Sequence, residues 1–221
     1  MQDLVPTALV PVAPMLRRGS PRLVIMNAPM LEPVRLVVWD LDETFWHGTL
    51  SEGGIAYRQD LHDAVIALAK RGIVSAICSK NDEAAVRAEL ERSGLWDYFV
   101  FPSISWDPKG PRLAALVEAV QLRAPTVLFI DDNPHNLAEA QHFVAGIQVA
   151  GPEILAGLLE NPLLRGKDDA ALSRLNQYRL LQRRQARRQR QAAMPRSFCA
   201  PAISSWKSIS TWRGTWTAPS S

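Results

Sequence analysis

Cysteine is scarce in this chain: Cys78 and Cys199 are its 2 cysteines in 221 residues, too few for a disulfide framework and in keeping with a reducing compartment. No apolar run approaches the roughly 20 residues that cross a bilayer, so no membrane-spanning segment is expected. The apolar N-terminus is interrupted by Pro6, Pro11 and Pro14. Its charges, Arg17 and Arg18, follow the apolar run where a secretory signal carries them in front. A soluble, cytoplasmic protein is the expectation. Acidic residues are nearly missing from positions 161–221, where 2 Asp stand against 12 Lys and Arg, whereas positions 1–160 hold 20 acidic residues against 13 basic ones. The formal charge of +3 thus hides a basic tail behind an acidic body. Within that tail Arg183, Arg184, Arg187, Arg188 and Arg190 lack the interleaved aromatics of a nucleic-acid-reading surface. They are read as a solvated helix face, and no nucleic-acid partner is expected.

What is present is an ordinary globular composition, 47% hydrophobic and 21% charged, enough for one sizeable core. The chain is organised around Val37-Val38-Trp39-Asp40-Leu41-Asp42, an apolar strand ending in two carboxylates one residue apart. Alternate side chains of a strand share a face, so Asp40 and Asp42 would diverge around a common centre only if the chain turns sharply after the strand. Asp-x-Asp alone is common in turns. Two further strand ends and one helix start repeat the theme in order: Gly72 to Lys80 ends in Ser79, Lys109 heads a helical pattern after Trp106-Asp107-Pro108, and Val127 to Ile130 runs into Asp131-Asp132.

Between these landmarks the periodicity alternates. Residues 34–40 read as a strand, and 43–58, with Gly48, Gly53 and Gly54, as a small hairpin flap. Asp60 opens a helix that Gly72 closes; Asn81 or Asp82 caps a second that ends at Gly94. Tyr98 to Phe101 reads as a short strand, 109–122 as a helix, 126–130 as a strand, and Asn133-Pro134 as a helix start. Ile147 to Ala150 reads as a last strand, with a helix from Pro152. Strands alternating with helices at this spacing predict a parallel sheet covered on both faces. The intervals between motifs leave no room for a large cap domain.

The order Asp-x-Asp-x-Thr, Ser, Lys, Asp-Asp resembles the haloacid dehalogenase-like (HAD) phosphatase superfamily. The resemblance implies a three-layer Rossmann-like core over residues 34–165, with a Pro-rich segment 1–33 before it and a basic helix or linker 166–196 after it. It implies Mg²⁺ as cofactor, Asp40 as nucleophile and Asp42 as general acid and base. Asp40, Asp42 through its backbone carbonyl, Asp132 and, through water, Asp131 are the implied metal site; Thr44, Ser79 and Lys109 are the implied phosphate-binding residues.

The wording Trp39-Asp40-Leu41-Asp42-Glu43-Thr44-Phe45-Trp46-His47-Gly48, with Ile77-Cys78-Ser79-Lys80-Asn81-Asp82 and Phe129-Ile130-Asp131-Asp132-Asn133-Pro134, is similar to the FkbH-like group, HAD subfamily IIIC. That group dephosphorylates 1,3-bisphosphoglycerate and loads the glyceryl unit onto an acyl carrier protein. The resemblance therefore implies a phosphorylated small molecule and an acyl carrier protein as partners. Glu43 and His47 stand where Asn and Gly are expected in its polyketide-pathway members. Two alternatives stay open: a magnesium-dependent phosphatase of proteins or small molecules, and a non-catalytic binding module. Cys78, beside Ser79, is a candidate acyl-carrying thiol, although strand alternation turns it to the other face. Residues 197–221 hold three Trp, many Ser and Thr and no acid. Read one frame over, Phe198 to Ser220 can encode an alternating apolar and acidic strand, so a disordered tail produced by a frame-shifted truncation is expected.

Overall fold

The computed structural model describes residues 32–52 and 54–193. The edge strand expected near Leu23 to Met26 and the tail 197–221 lie outside the described residues. Five strands form one parallel sheet: β1 (Leu36–Trp39), β2 (Val74–Ser79), β3 (Ser103–Ile104), β4 (Val127–Ile130) and β5 (Gln148–Ala150), in the order β3-β2-β1-β4-β5. Among the described residues five α-helices accompany them: α1 (Gln59–Lys70), α2 (Glu83–Arg92), α3 (Lys109–Val120), α4 (Pro134–Phe143) and α5 (Ser173–Ala193).

Strand alternation divides the core in two. Val37, Trp39, Ile77, Leu128 and Ile130 pack against Leu61, Val65 and Leu68 of α1 and Val86 and Leu90 of α2. The intervening Leu36, Val38, Ala76, Val127 and Phe129 pack against Leu113 and Leu116 of α3, Leu137 and Ala140 of α4, and Leu175 of α5. Both faces of the central strands are therefore apolar, as a sheet sandwiched between helices requires. This is the three-layer α/β core predicted from the alternation of elements, with no large cap among the described residues.

Chain order sets the position of the site. From β1 the chain steps outward through β2 to β3, then returns to place β4 on β1's other side. β1 and β4 thus flank the point where the winding reverses, and there the crevice outside the carboxyl ends is not covered by a crossover. Trp39 is level with Ile130, so β1 and β4 end together, and with Ile77, two residues before β2 ends at Ser79.

Some local expectations are corrected. Tyr98 to Phe101 is not a strand: Trp96–Tyr98 is a 3₁₀ turn, Phe99 makes a single bridge to Ser75, and pairing resumes only at β3. Phe101 has φ +49° and Pro102 follows it, and both break an extended run. The segment from Pro152 is a 3₁₀ turn to Gly157, not an α-helix. The flap between β1 and α1 holds one antiparallel bridge, His47 to Ala56. Asp82, not Asn81, caps α2, its side chain accepting from Ala85 N at 2.8 Å. No helix among the described residues is long and apolar enough to cross a membrane.

Candidate active site

β1 delivers Asp40 to the reversal point. Its backbone N–H donates to Ile130 O at 2.9 Å, extending the ladder one residue past the strand. The chain then turns tightly: the N–H groups of Thr44, Phe45 and Trp46 lie 3.2, 2.8 and 3.2 Å from Leu41 O. Phe45 anchors this turn edge-on against Trp39 and Phe99, with ring centroids 5.4 and 5.9 Å away. Thr44 Oγ1 accepts from Asp132 N at 3.0 Å, tying the turn after β1 to the turn after β4.

Lys109 opens α3, where a cation opposes the helix dipole, so local preference does not explain it. Its side chain does: the ammonium is 2% exposed and lies 2.6 Å from Asp40 Oδ1 and 2.7 Å from Asp131 Oδ2. Asp131, fully buried, also accepts from Asn133 N at 2.9 Å and from Asn136 Nδ2 at 3.0 and 3.1 Å. Asp132 is exposed at the mouth. One oxygen from each of Asp40, Asp131 and Asp132 falls within 4.8 Å of the others.

Burial pushes the Asp40 carboxyl up to about 6, against the pull of Lys109 and with a push from Asp131. Burial works to lower Lys109, but Asp40 and Asp131 together hold its ammonium above the ordinary lysine range. Asp132 is raised by partial burial and by the charge of Asp131. One ammonium among three carboxylates leaves two negative charges uncompensated when all are ionised. Hard oxygen donors carrying that residual charge suit a hard divalent cation such as Mg²⁺, so the residues present fit the metal that the strand-end motifs imply.

The remaining predicted residues are placed as follows. Asp42 sits beside the cluster but outside the three-carboxylate group: its Oδ1 accepts from Trp46 Nε1 at 2.8 Å and Leu50 N at 3.3 Å, and its Oδ2 from Asn81 Nδ2 at 3.0 Å. Ser79 ends β2 on the same edge of the sheet and is buried. Cys78 is turned to the opposite face, among Val38, Ala76 and Leu113, and burial pushes its thiol up to about 11. It is a core residue in this arrangement and does not line the cleft. Glu43 adopts φ +54°, in the left-handed region where Asn is more at ease, and its Oε1 accepts from Gly48 N at 3.0 Å.

Sequence reasoning missed the supporting residues. Asn81 reads from the sequence as a helix cap and as part of the motif after β2, and Trp46 as part of the motif after β1, yet both hold Asp42. Asn136, which steadies Asp131, carried no signal beyond its place in α4.

No protein-family profile matches the chain, and no curated protein does. Among solved structures, the N-terminal part of a Bacteroides fragilis protein, containing a phosphatase domain and complexed with Mg, is similar at 24% identity and TM-score 0.52. The similarity covers 62% of this chain and 41% of that one, so this chain spans about two fifths of its length. Cobalt-bound deoxy-D-mannose-octulosonate 8-phosphate phosphatase from Haemophilus influenzae is 17% identical at TM-score 0.46, over 68% of this chain and 99% of the other. 3-Deoxy-D-manno-octulosonate 8-phosphate phosphatase from Moraxella catarrhalis, in complex with magnesium ion, phosphate ion and KDO, is 17% identical at TM-score 0.43, over 73% of this chain and 94% of the other. The first of these likenesses bears on the fold: the chain shares the Rossmann-like α/β architecture of that phosphatase domain.

Proposed function

We propose that the chain is a Mg²⁺-dependent phosphatase working through an aspartyl-phosphate on Asp40. The observation that carries this reading is the meeting of Asp40, Lys109, Asp131 and Asp132 at one crevice, from three separate parts of the sequence. Asp40 is the carboxylate nearest the end of the central strand, and its pull toward protonation is opposed by Lys109, which favours the nucleophilic form above about pH 6. An Asp40 oxygen attacks phosphorus while the bond to the leaving oxygen breaks, and Asp42 supplies the proton that oxygen needs. Water then attacks phosphorus, gives its proton to Asp42, and phosphate departs with Asp40 restored. Lys109 and Ser79 hold the phosphoryl oxygens in line. Mg²⁺, held by Asp40, Asp132 and Asp131, would neutralise phosphate charge during transfer.

The substrate reading is finer. The three strand-end motifs resemble the FkbH-like group, and the described residues place no large cap over the crevice, which leaves it open to a large or tethered substrate. Both features support an acyl phosphate such as 1,3-bisphosphoglycerate, with an acyl carrier protein as acceptor. The test incubates the chain with that compound, with a panel of phosphate esters and with a carrier protein, following free phosphate and carrier mass together. Mg²⁺-dependent phosphate release supports the phosphatase, and a mass gain on the carrier supports the transfer. A folded chain that releases phosphate from none of the panel would leave the binding-module reading in its place.

A further inference from the structure

We propose that Arg112 is the positioning residue that keeps the two phosphate-holding side chains, Ser79 and Lys109, in register with each other; this rests on the phosphoryl-transfer reading above. Arg112 lies one turn along α3 from Lys109 and is half-buried. Its Nη2 donates to Ser79 O at 2.9 Å and also to Ser103 O. Nη1 donates to Ser105 O at 2.8 Å and Asp107 O at 3.2 Å, and Nε to Ser103 Oγ at 3.0 Å. One guanidinium therefore gathers the end of β2, the whole of β3's start, and the loop that delivers Lys109.

The local backbone has few other ties: within the loop, Ser105 Oγ donates to Asp107 Oδ2 at 2.9 Å and accepts from Asp107 N at 3.3 Å. β3 is two residues long and pairs only through Cys78 to Ser103 and Ser79 to Ile104. Ser105 N reaches Ser79 O at 3.3 Å, and Pro108 brings no N–H. A planar fork with five donors in fixed directions satisfies these carbonyls together, which a lysine ammonium does not reproduce. Every contact falls on the limb that carries Ser79 and Lys109. None falls on β1 or β4, which carry the three carboxylates.

That division makes the role separable from general support. In Arg112→Ala, affinity for inorganic phosphate in the presence of Mg²⁺ is expected to fall about 10-fold or more and kcat on any ester turned over by about 10- to 100-fold. Because Lys109 also pairs with Asp40 and Asp131, Mg²⁺ affinity, read from thermal shift with metal alone, is expected to change by clearly less than phosphate affinity. Amides of 103–109 are expected to exchange faster, while those of β4 do not. Millimolar guanidinium should restore part of the phosphate affinity to Arg112→Ala, and Arg112→Lys should recover little of it. Unchanged phosphate affinity in Arg112→Ala overturns the proposal. So does a parallel fall of phosphate affinity, Mg²⁺ affinity and melting temperature, which would mark a purely structural residue. If the parent binds phosphate yet hydrolyses no ester, the reaction assigned above fails, and loss of phosphate binding in the variant still supports Arg112. A parent that binds no phosphate with Mg²⁺ present overturns both.

Discussion

At Asp40 burial and the proposed nucleophilic role pull in opposite directions. The carboxyl is 6% exposed and raised to about 6, so the folded protein holds a proton there that the unfolded chain, near 3.8, has already released. Between those values the folded state binds more protons, and the stability of the metal-free protein falls as pH rises through them. The loss is complete above about pH 6 and amounts to roughly 3 kcal/mol at most. Asp40→Asn removes that titration. The variant should lose turnover altogether, because the proposed mechanism loses its whole covalent step, yet be no less stable than the parent without metal at pH 7.5. Its advantage should vanish near pH 4, and chemical denaturation at the two pH values measures both ends. Retained turnover in this variant would remove Asp40 from the nucleophile's role.

Lys109 behaves in the opposite sense. It pairs with two buried carboxylates at once, so Lys109→Met leaves Asp40 and Asp131 facing each other without a cation. The expected cost in metal-free protein is about 3 kcal/mol, since breaking a buried pair strands the partner charges. Mg²⁺ should restore part of that loss by taking over the neutralisation. Comparing denaturation midpoints with chelator and with Mg²⁺ checks both halves, and an equal loss in each would show that Lys109 is not coupled to the carboxylate group.

Among the elements, the strands that carry acids were legible because each couples an apolar run to a chemically distinctive end: Trp39 to Asp40, and Ile130 to Asp131. Periodicity also placed α1 to α4 within a few residues. It failed at Tyr98 to Phe101, where the residue types favour a strand but the left-handed backbone at Phe101 and the following Pro102 interrupt the pairing. The clamp by Arg112 and the grip of Asn81 and Trp46 on Asp42 were illegible, because contacts to carbonyls and carboxyls distant in the chain leave no period and no spacing. A second element, the lead-in to α5, depends on one glycine. Gly166 has φ +59°, and a Cβ there would stand 2.2 Å from Arg71 O, beside the bonds from Lys167 N and Asp169 N that dock this segment on the end of α1. Gly166→Ala should therefore cost about 2 kcal/mol or more in stability, from backbone strain and overlap together. This segment meets the sheet at the amino ends of its strands, so turnover at a temperature where the variant stays folded should be unchanged. A variant as stable as the parent would show that the segment is not held in this conformation.

For the molecule as a whole, charge is distributed by position. Alternating core faces hold the sheet together, while the uncompensated acids gather at one edge of it, where Asp131 and Asp132 precede α4 and Asp40 ends β1. A cation that binds this arrangement and not the unfolded chain stabilises the fold by mass action, about 2.7 kcal/mol at a concentration of 100 times its dissociation constant. Mg²⁺ should therefore raise the denaturation midpoint of the parent at pH 7.5. The rise should shrink at pH 5, because Asp40, raised to about 6, then holds a proton that the metal must displace, and the upward shift of Asp132 works in the same direction. Asp132→Ala isolates the metal's part of the effect. Asp132 is exposed, so its removal should leave metal-free stability nearly unchanged while abolishing most of the Mg²⁺-dependent rise and increasing the Mg²⁺ needed for turnover. Titrating Mg²⁺ against the denaturation midpoint of parent and variant at both pH values gives the four numbers required. An equal rise in parent and variant would place the cation somewhere other than these three carboxylates.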